Sequence, residues 1–282
     1  QRFRELSPAP TAGDMSSPPR FLFIHVMKTG GTSFVFHLLQ QFAADEIYPS
    51  PAVDRRDPTD AEPYASIPAL AAVSPERAAV IRVYAGHFPL AVRDLIGGDL
   101  TTLTLLREPV DRTISVLKQF KRLYEQYRDL SLDAIYDDPF VYRHFIENHQ
   151  TKLFSVTTAD HPKMLASTLG FPEFRERLTA TVRVAEGASG GSPDTITVDA
   201  QRFATAKEHL SRVGVVGLNE RFDEFVEALR TRFGWWPGGM AGDARANVSS
   251  DAWEVDPALR ARIARDNAFD VELYEYAKTL AP

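Results

Sequence analysis

The chain contains no cysteine. Disulfides, thiolate nucleophiles and Cys-based zinc sites are therefore excluded from its chemistry. Long apolar runs are missing too: the hydrophobic stretches are strand-sized, too short to span a bilayer as a helix. Positive charge is in deficit, with 32 Lys and Arg against 38 Asp and Glu and a net charge of −6. A general nucleic-acid binder shows a basic surplus, so no nucleic-acid partner is expected, although a cleft can be locally cationic. No ligand spacing such as H-E-x-x-H occurs, and no metal is expected. The opening residues, Gln1–Asp14, are polar and Pro-rich with no apolar signal segment. They read as a tag or upstream leader, Met15 is a candidate start, and cytoplasmic residence is the default expectation.

What is present is an ordinary globular composition: 282 residues, 44% hydrophobic and 25% charged, enough for one domain with a sizeable core. Repeats are absent, and Gly187–Pro193 is too short for an interdomain tether, so it reads as a loop within an insertion. Phe21–Val26 is an apolar run of β-formers, followed by a Gly-rich turn and then Phe34, Val35, Leu38, Leu39 and Phe42 at helical spacing. Val80–Tyr84 and Thr101–Leu106 read as further strands, and Val213–Val216 as a late buried one. A long helix follows Pro109, with Ile114, Leu117, Phe120, Leu123 and Tyr127 as its apolar stripe. Helices are also expected at Pro139–Asn148, Glu173–Leu178, Thr205–Leu210, Glu220–Phe233 and Pro257–Leu280, with a hairpin pairing Thr181–Ala185 and Thr195–Val198. Residues 49–75, rich in Pro, Asp and Ala, read as an irregular excursion. Strands alternating with helices predict an α/β fold: a single P-loop-like domain with a mainly parallel, doubly wound sheet flanked by helices. In such sheets ligands sit beyond the carboxyl ends of the strands, where the turns of interest fall.

The first such turn is Lys28-Thr29-Gly30-Gly31-Thr32-Ser33. Backbone N–H groups at a helix N-terminus attract a phosphate, and glycines let the backbone approach it. Thr32 and Ser33 add hydroxyls and Lys28 a point charge. In a Walker A loop the lysine follows the glycines; here it precedes them. The competing reading is a tight turn with an incidental lysine. The second turn is Arg107-Glu108-Pro109, with Ser115 eight positions after the arginine. Arginine grips phosphate through two parallel N–H bonds, and a serine on the following helix can add a hydroxyl. Against this, Arg107 could pair with Glu108 or Asp111 on the surface, leaving Ser115 as a small helix residue.

Together, HVMKTGGTSF and LLREPVDRTISVL resemble the 5′-phosphosulfate loop and the 3′-phosphate segment of the sulfotransferases that use 3′-phosphoadenosine 5′-phosphosulfate (PAPS). The likeness is to the carbohydrate 2-O-sulfotransferase-like branch, family 2. It extends through Asn148–Leu153 (N-x-Q-T-K-x-L), Val215–Phe222 (the G-L-x-E-R-F piece) and Asp270–Ala277 (D-x-x-L-Y-x-Y-A). The resemblance implies a sulfotransferase domain over 21–282 after a leader or tag at 1–20, with insertions at 49–75 and 185–194. It implies PAPS as donor, PAP as product, no metal, and a hydroxyl of a sugar, glycolipid or small metabolite as acceptor. Met27 departs from the proline that many relatives carry before the lysine.

Sulfuryl transfer needs a deprotonated acceptor, charge stabilisation on the SO3 group and a neutralised leaving phosphate. Lys28 is the candidate for the leaving oxygen, as the resemblance also implies. His87, in Gly86-His87-Phe88 after a strand, is the candidate base, since imidazole accepts a proton near neutral pH. A histidine that merely hydrogen-bonds a loop is the competing reading. His25 and His149 are alternatives. Donor-binding candidates are Lys28, Thr29, Gly30, Gly31, Thr32, Ser33, Arg107, Ser115 and Arg245; Arg112 either joins the 3′-phosphate site or lies on a solvated face. Trp235 and Trp236 stack on adenine or belong to the core. The charge run Lys118–Arg122 reads as a solvated face, with steering of an anionic acceptor as the alternative. Two other functions stay open: a P-loop-like kinase or nucleotidase, which calls for an apolar strand ending in Asp where this one ends in Arg107, and a non-catalytic nucleotide-binding module.

Overall fold

The structure is a computed structural model, described here for residues 18–50, 67–160, 196–237 and 255–282. Its centre is an all-parallel sheet of five strands: β1 (Arg20–Ile24), β2 (Ile47–Tyr48), β3 (Val83–Gly86), β4 (Leu100–Leu106) and β5 (Val215–Leu218). Their order is β2-β3-β1-β4-β5. Helices cover both faces, which is why β1 reads as a continuous apolar run rather than an alternating one.

One face carries Phe21, Phe23, Val83, Leu103 and Leu105. Packed on it are Phe34 and Leu38 of α1 (Gly31–Gln41), Phe225 and Leu229 of the helix Phe222–Phe233, and Trp235 and Trp236. The other face carries Leu22, Ile24, Leu106 and Val216. It is covered by the short helices α2 (Ile67–Ala71) and α4 (Val92–Ile96), and by the helices His149–Ser155, Ala200–Ser211 and Ala268–Lys278, while α3 (Pro75–Val80) has no buried residue. A third cluster surrounds α5 (Pro109–Leu123), where Ile114, Leu117 and Phe120 pack on Tyr136, Phe145, Leu259 and Ile263. Each fully buried Phe or Leu contributes roughly 1.5–3 kcal/mol of transfer free energy, so these layers hold the strand ends in fixed relation.

The remaining helices in chain order are α6 (Leu132–Tyr136), α7 (Pro139–Val141), α8 (His149–Ser155), α9 (Ala200–Ser211), α10 (Phe222–Phe233), α11 (Pro257–Asp266) and α12 (Ala268–Lys278). Several boundaries differ from the sequence expectation. Val80 ends α3 and the strand begins at Val83; the signal for α3 was Ser74, whose Oγ accepts from Arg77 N, with Pro75 behind it. The irregular stretch 49–75 thus includes α2 and the start of α3. The helix expected over Pro139–Asn148 is a single α turn continued by a wide π turn at Tyr142–Ile146, and it stops before Asn148, whose φ is +43°. One helix expected at the C-terminus is two, broken at Asn267. Leu123 is 56% exposed, so it leaves the apolar stripe of α5. The expected helix Glu173–Leu178, the Gly-rich insertion 185–194 and the hairpin strand Thr181–Ala185 lie outside the described residues. Among the described residues no helix is long and apolar enough to cross a membrane.

Candidate functional site

At the carboxyl edge of the sheet the ends of β1, β3, β4 and β5 come together, each followed by a polar residue: His25, His87, Arg107 and Asn219. The loop after β1 is tightly determined. His25 N donates to Gly86 O (2.9 Å), Thr29 Oγ1 donates to Val26 O (2.9 Å), and Asn219 Nδ2 donates to Thr29 O (3.1 Å). The Thr29 hydroxyl, fully buried, therefore closes the turn rather than facing outward. Gly30 caps α1 at φ +93°, and a Cβ there would lie 2.5 Å from Asn219 Nδ2. A Cβ on Gly31 would lie 2.0 Å from the His25 ring. Both glycines are thus demanded by protein neighbours, quite apart from any ligand. Thr32 is exposed on the first turn of α1 and Ser33 is buried.

Among the described residues no side chain caps α1, and its first turn holds no acidic residue. The N-termini of α5 and α8 differ. Glu108 accepts from Val110 N (3.1 Å) and Asp111 N (2.7 Å), and Asp270 accepts from Gln150 N (3.1 Å) and Thr151 N (2.7 Å). Those helix ends are already neutralised from within, whereas the α1 end keeps its positive pole facing the strand edge.

Two cations stand at this edge. Arg107 Nη1 donates to Lys28 O (3.3 Å), which ties the second turn to the first. Among the described residues, neither Lys28 nor Arg107 pairs with a carboxylate. Glu108 caps its own helix, and Asp111 pairs with Arg260 at 2.8 Å, so Arg107 has neither of the surface partners considered from sequence. Burial pushes the Lys28 ammonium below its ordinary pKa, and the positive charges of Arg122 and then Arg107 push it further the same way. Arg122, part of the charge run read as a solvated face, is exposed yet close enough to act on Lys28. Arg112 is fully buried, contrary to a solvated helix face. Its Nη2 donates to Phe145 O (2.7 Å), while Nε and Nη1 have no hydrogen-bond partner among the described residues. Desolvation lowers its pKa to about 10 against the opposing pull of Asp270. Ser115 is half-buried on α5, and its hydroxyl makes no hydrogen bond among the described residues.

His87 lies 2.7 Å through Nδ1 from the carbonyl oxygen of His25. A carbonyl only accepts, so Nδ1 carries the hydrogen and, in the neutral ring, Nε2 carries the lone pair. That is the tautomer a general base at this edge requires. The His25 ring packs 4.4 Å from the His87 ring, and burial, then His87, then Lys28 hold its pKa well below the ordinary 6.5. His25 is thus a neutral spacer. Half-buried His149 begins α8. Trp235 and Trp236 are core: Trp235 meets Phe21 edge-on at 4.7 Å, and Trp236 Nε1 donates to His37 O at 3.0 Å. Arg245 lies outside the described residues.

No protein-family model matches this chain, and no curated protein matches it. What the site can do rests on its own geometry: a helix N-terminus and two cations that meet no carboxylate among the described residues attract an anion, and a fixed imidazole beside them can take a proton. Sequence reasoning missed three residues that build this edge. Gln150, Asp270 and Asn219 all fell within motifs whose roles the spacing does not reveal, Asn219 at the variable position of its motif. For Arg112 a signal existed, since Pro109, Val116 and Phe120 flank it on the buried side of α5.

Proposed function

We propose that this chain is a PAPS-dependent sulfotransferase with a P-loop-like, doubly wound fold, moving a sulfuryl group to a hydroxyl of a sugar, glycolipid or small metabolite. The observation that carries the reading is the pair of cations that meet no carboxylate among the described residues, Lys28 and Arg107, joined at the N-terminus of α1 beside a histidine of defined tautomer. An acidic protein that holds two such charges at one sheet edge concentrates an anion there.

In this reading the first-turn amides of α1, with Thr32 and Ser33, receive the 5′-phosphosulfate, and Arg107 with Ser115 receives the 3′-phosphate. His87 Nε2 takes the acceptor's hydroxyl proton as the acceptor oxygen forms its bond to sulfur. The bond from sulfur to the bridging phosphate oxygen breaks, and Lys28 stabilises the charge left on PAP. A poorly solvated lysine suits this role, because an arriving anion relieves its isolation. The acidic overall balance favours a small acceptor over a long polyanion.

Calorimetric titration with PAP, beside ATP·Mg²⁺ and adenosine 5′-phosphate, tests the reading. Micromolar or tighter binding selective for PAP, on the order of 8 kcal/mol, is the expected result. Preference for ATP·Mg²⁺ would point instead to a kinase or nucleotidase. His87→Ala should abolish turnover and leave PAP affinity nearly unchanged; a variant that turns over like the parent would leave a non-catalytic nucleotide-binding module or another base.

A further inference from the structure

Behind Arg107 lies a polar network with almost no exposure: Gln150 is 1% exposed, Thr151 0% and Asp270 1%. Burying polar groups is unfavourable unless each finds a partner, and here they do. Asp270, on α12, reaches across to α8, where Oδ1 accepts from Thr151 N (2.7 Å) and Thr151 Oγ1 (2.8 Å) and Oδ2 from Gln150 N (3.1 Å). In return, Asp270 N donates to Asn148 Oδ1 (3.2 Å). Burial raises the Asp270 pKa, and the positive charge of Arg112 is the largest influence opposing that rise.

This network is directed at one residue. The Gln150 side-chain amide accepts from Arg107 N (3.1 Å) and donates to Arg107 O (2.9 Å). Arg107 follows the last residue of β4, so its backbone groups have no strand to pair with, and the amide takes the place of one. Held at both backbone groups by Gln150, and at its guanidinium by Lys28 O, the Arg107 side chain has its root and one nitrogen fixed.

We propose that Gln150 and Asp270 are positioning residues that set where the Arg107 guanidinium meets an anion, which is the donor's 3′-phosphate if the sulfotransferase reading holds. Asp270 fixes the N-terminus of α8; α8 presents Gln150; Gln150 clamps Arg107. Neither residue touches the ligand.

The test is a double-mutant cycle on the full chain. Wild type, Gln150→Leu, Arg107→Ala and the double variant are titrated with PAP and with adenosine 5′-phosphosulfate, which lacks the 3′-phosphate. Gln150→Leu should weaken PAP about tenfold, should change adenosine 5′-phosphosulfate by less than about twofold, and should weaken PAP no further in the Arg107→Ala background. Equal weakening of both ligands, or the same PAP loss in both backgrounds, would overturn the clamp and leave a purely structural glutamine. Should Gln150→Leu fail to fold, Asp270→Asn, which keeps an acceptor for Thr151 but not for Gln150 N, is judged by the same ratio. A wild type that binds neither nucleotide overturns the donor reading; a wild type that prefers PAP, with variants keeping that preference, overturns the clamp alone.

Discussion

Gly31→Ala offers the sharpest test of how the loop after β1 is built. An alanine Cβ would lie 2.0 Å from His25 Cδ2 and 2.1 Å from Nε2. Ordinary contact needs about 3.5 Å, so the ring must retreat by roughly 1.5 Å or the loop must lift. Retreat is obstructed, because the His25 ring stacks on Phe23 at 5.5 Å and meets the His87 ring at 4.4 Å. Overpacking of this kind costs about 2 kcal/mol, which corresponds to a fall in Tm of roughly 3–4 °C for a chain of this size. The His87 anchor runs to the His25 main-chain oxygen, so it should survive while the ring's neighbour shifts. Differential scanning calorimetry of Gly31→Ala, His25→Ala and the double variant measures the effect. The double variant should be more stable than the sum of the single losses, because removing the ring removes the clash. A Gly31→Ala protein melting within about 1 °C of the parent, or strictly additive losses, would refute the packing argument and return Gly31 to a purely ligand-facing role.

Other expectations follow from the charges. Arg107→Ala should weaken PAP by about 10–100-fold, the worth of a charge-assisted contact, and leave adenosine 5′-phosphosulfate little changed in parallel titrations. Lys28 has a folded pKa below its unfolded 10.5, so the unfolded chain holds that proton more tightly and the charged lysine opposes folding at neutral pH. Lys28→Met should therefore melt higher than the parent at pH 7 while losing anion affinity, and the gap in Tm should narrow as pH rises toward 10.5. His25 likewise stays neutral when folded, so its contribution to stability falls as pH drops below about 6.5, where the unfolded ring takes a proton. Denaturant midpoints of His25→Gln should decline less steeply than those of the parent on that acid side; an unchanged slope would show that the ring titrates freely in the folded protein.

Much of this molecule was determined locally by the sequence. The apolar run at Phe21–Ile24, the glycines after it and the helical spacing of Phe34 and Leu38 are short-range signals, and they placed a strand, turn and helix where the structure has them. The same holds for β4, the turn at Arg107 and α5, whose start is marked by Glu108 and Pro109. Residue chemistry at the strand ends, an arginine, a lysine and a histidine, was legible for the same reason. Tertiary structure decided who meets whom. The two-residue β2 has too few residues to show a period, and only pairing with β3 makes it a strand. The His87 tautomer follows from a carbonyl 62 positions away, and the clamp on Arg107 from a glutamine 43 positions on, held by an aspartate a further 120 along the chain. Periodicity says which face of an element is buried, but not what it is buried against. The burial of Arg112 and the packing of Trp235 and Trp236 in the core depend on that second fact, because a polar or aromatic side chain takes its role from the partner that the fold brings to it.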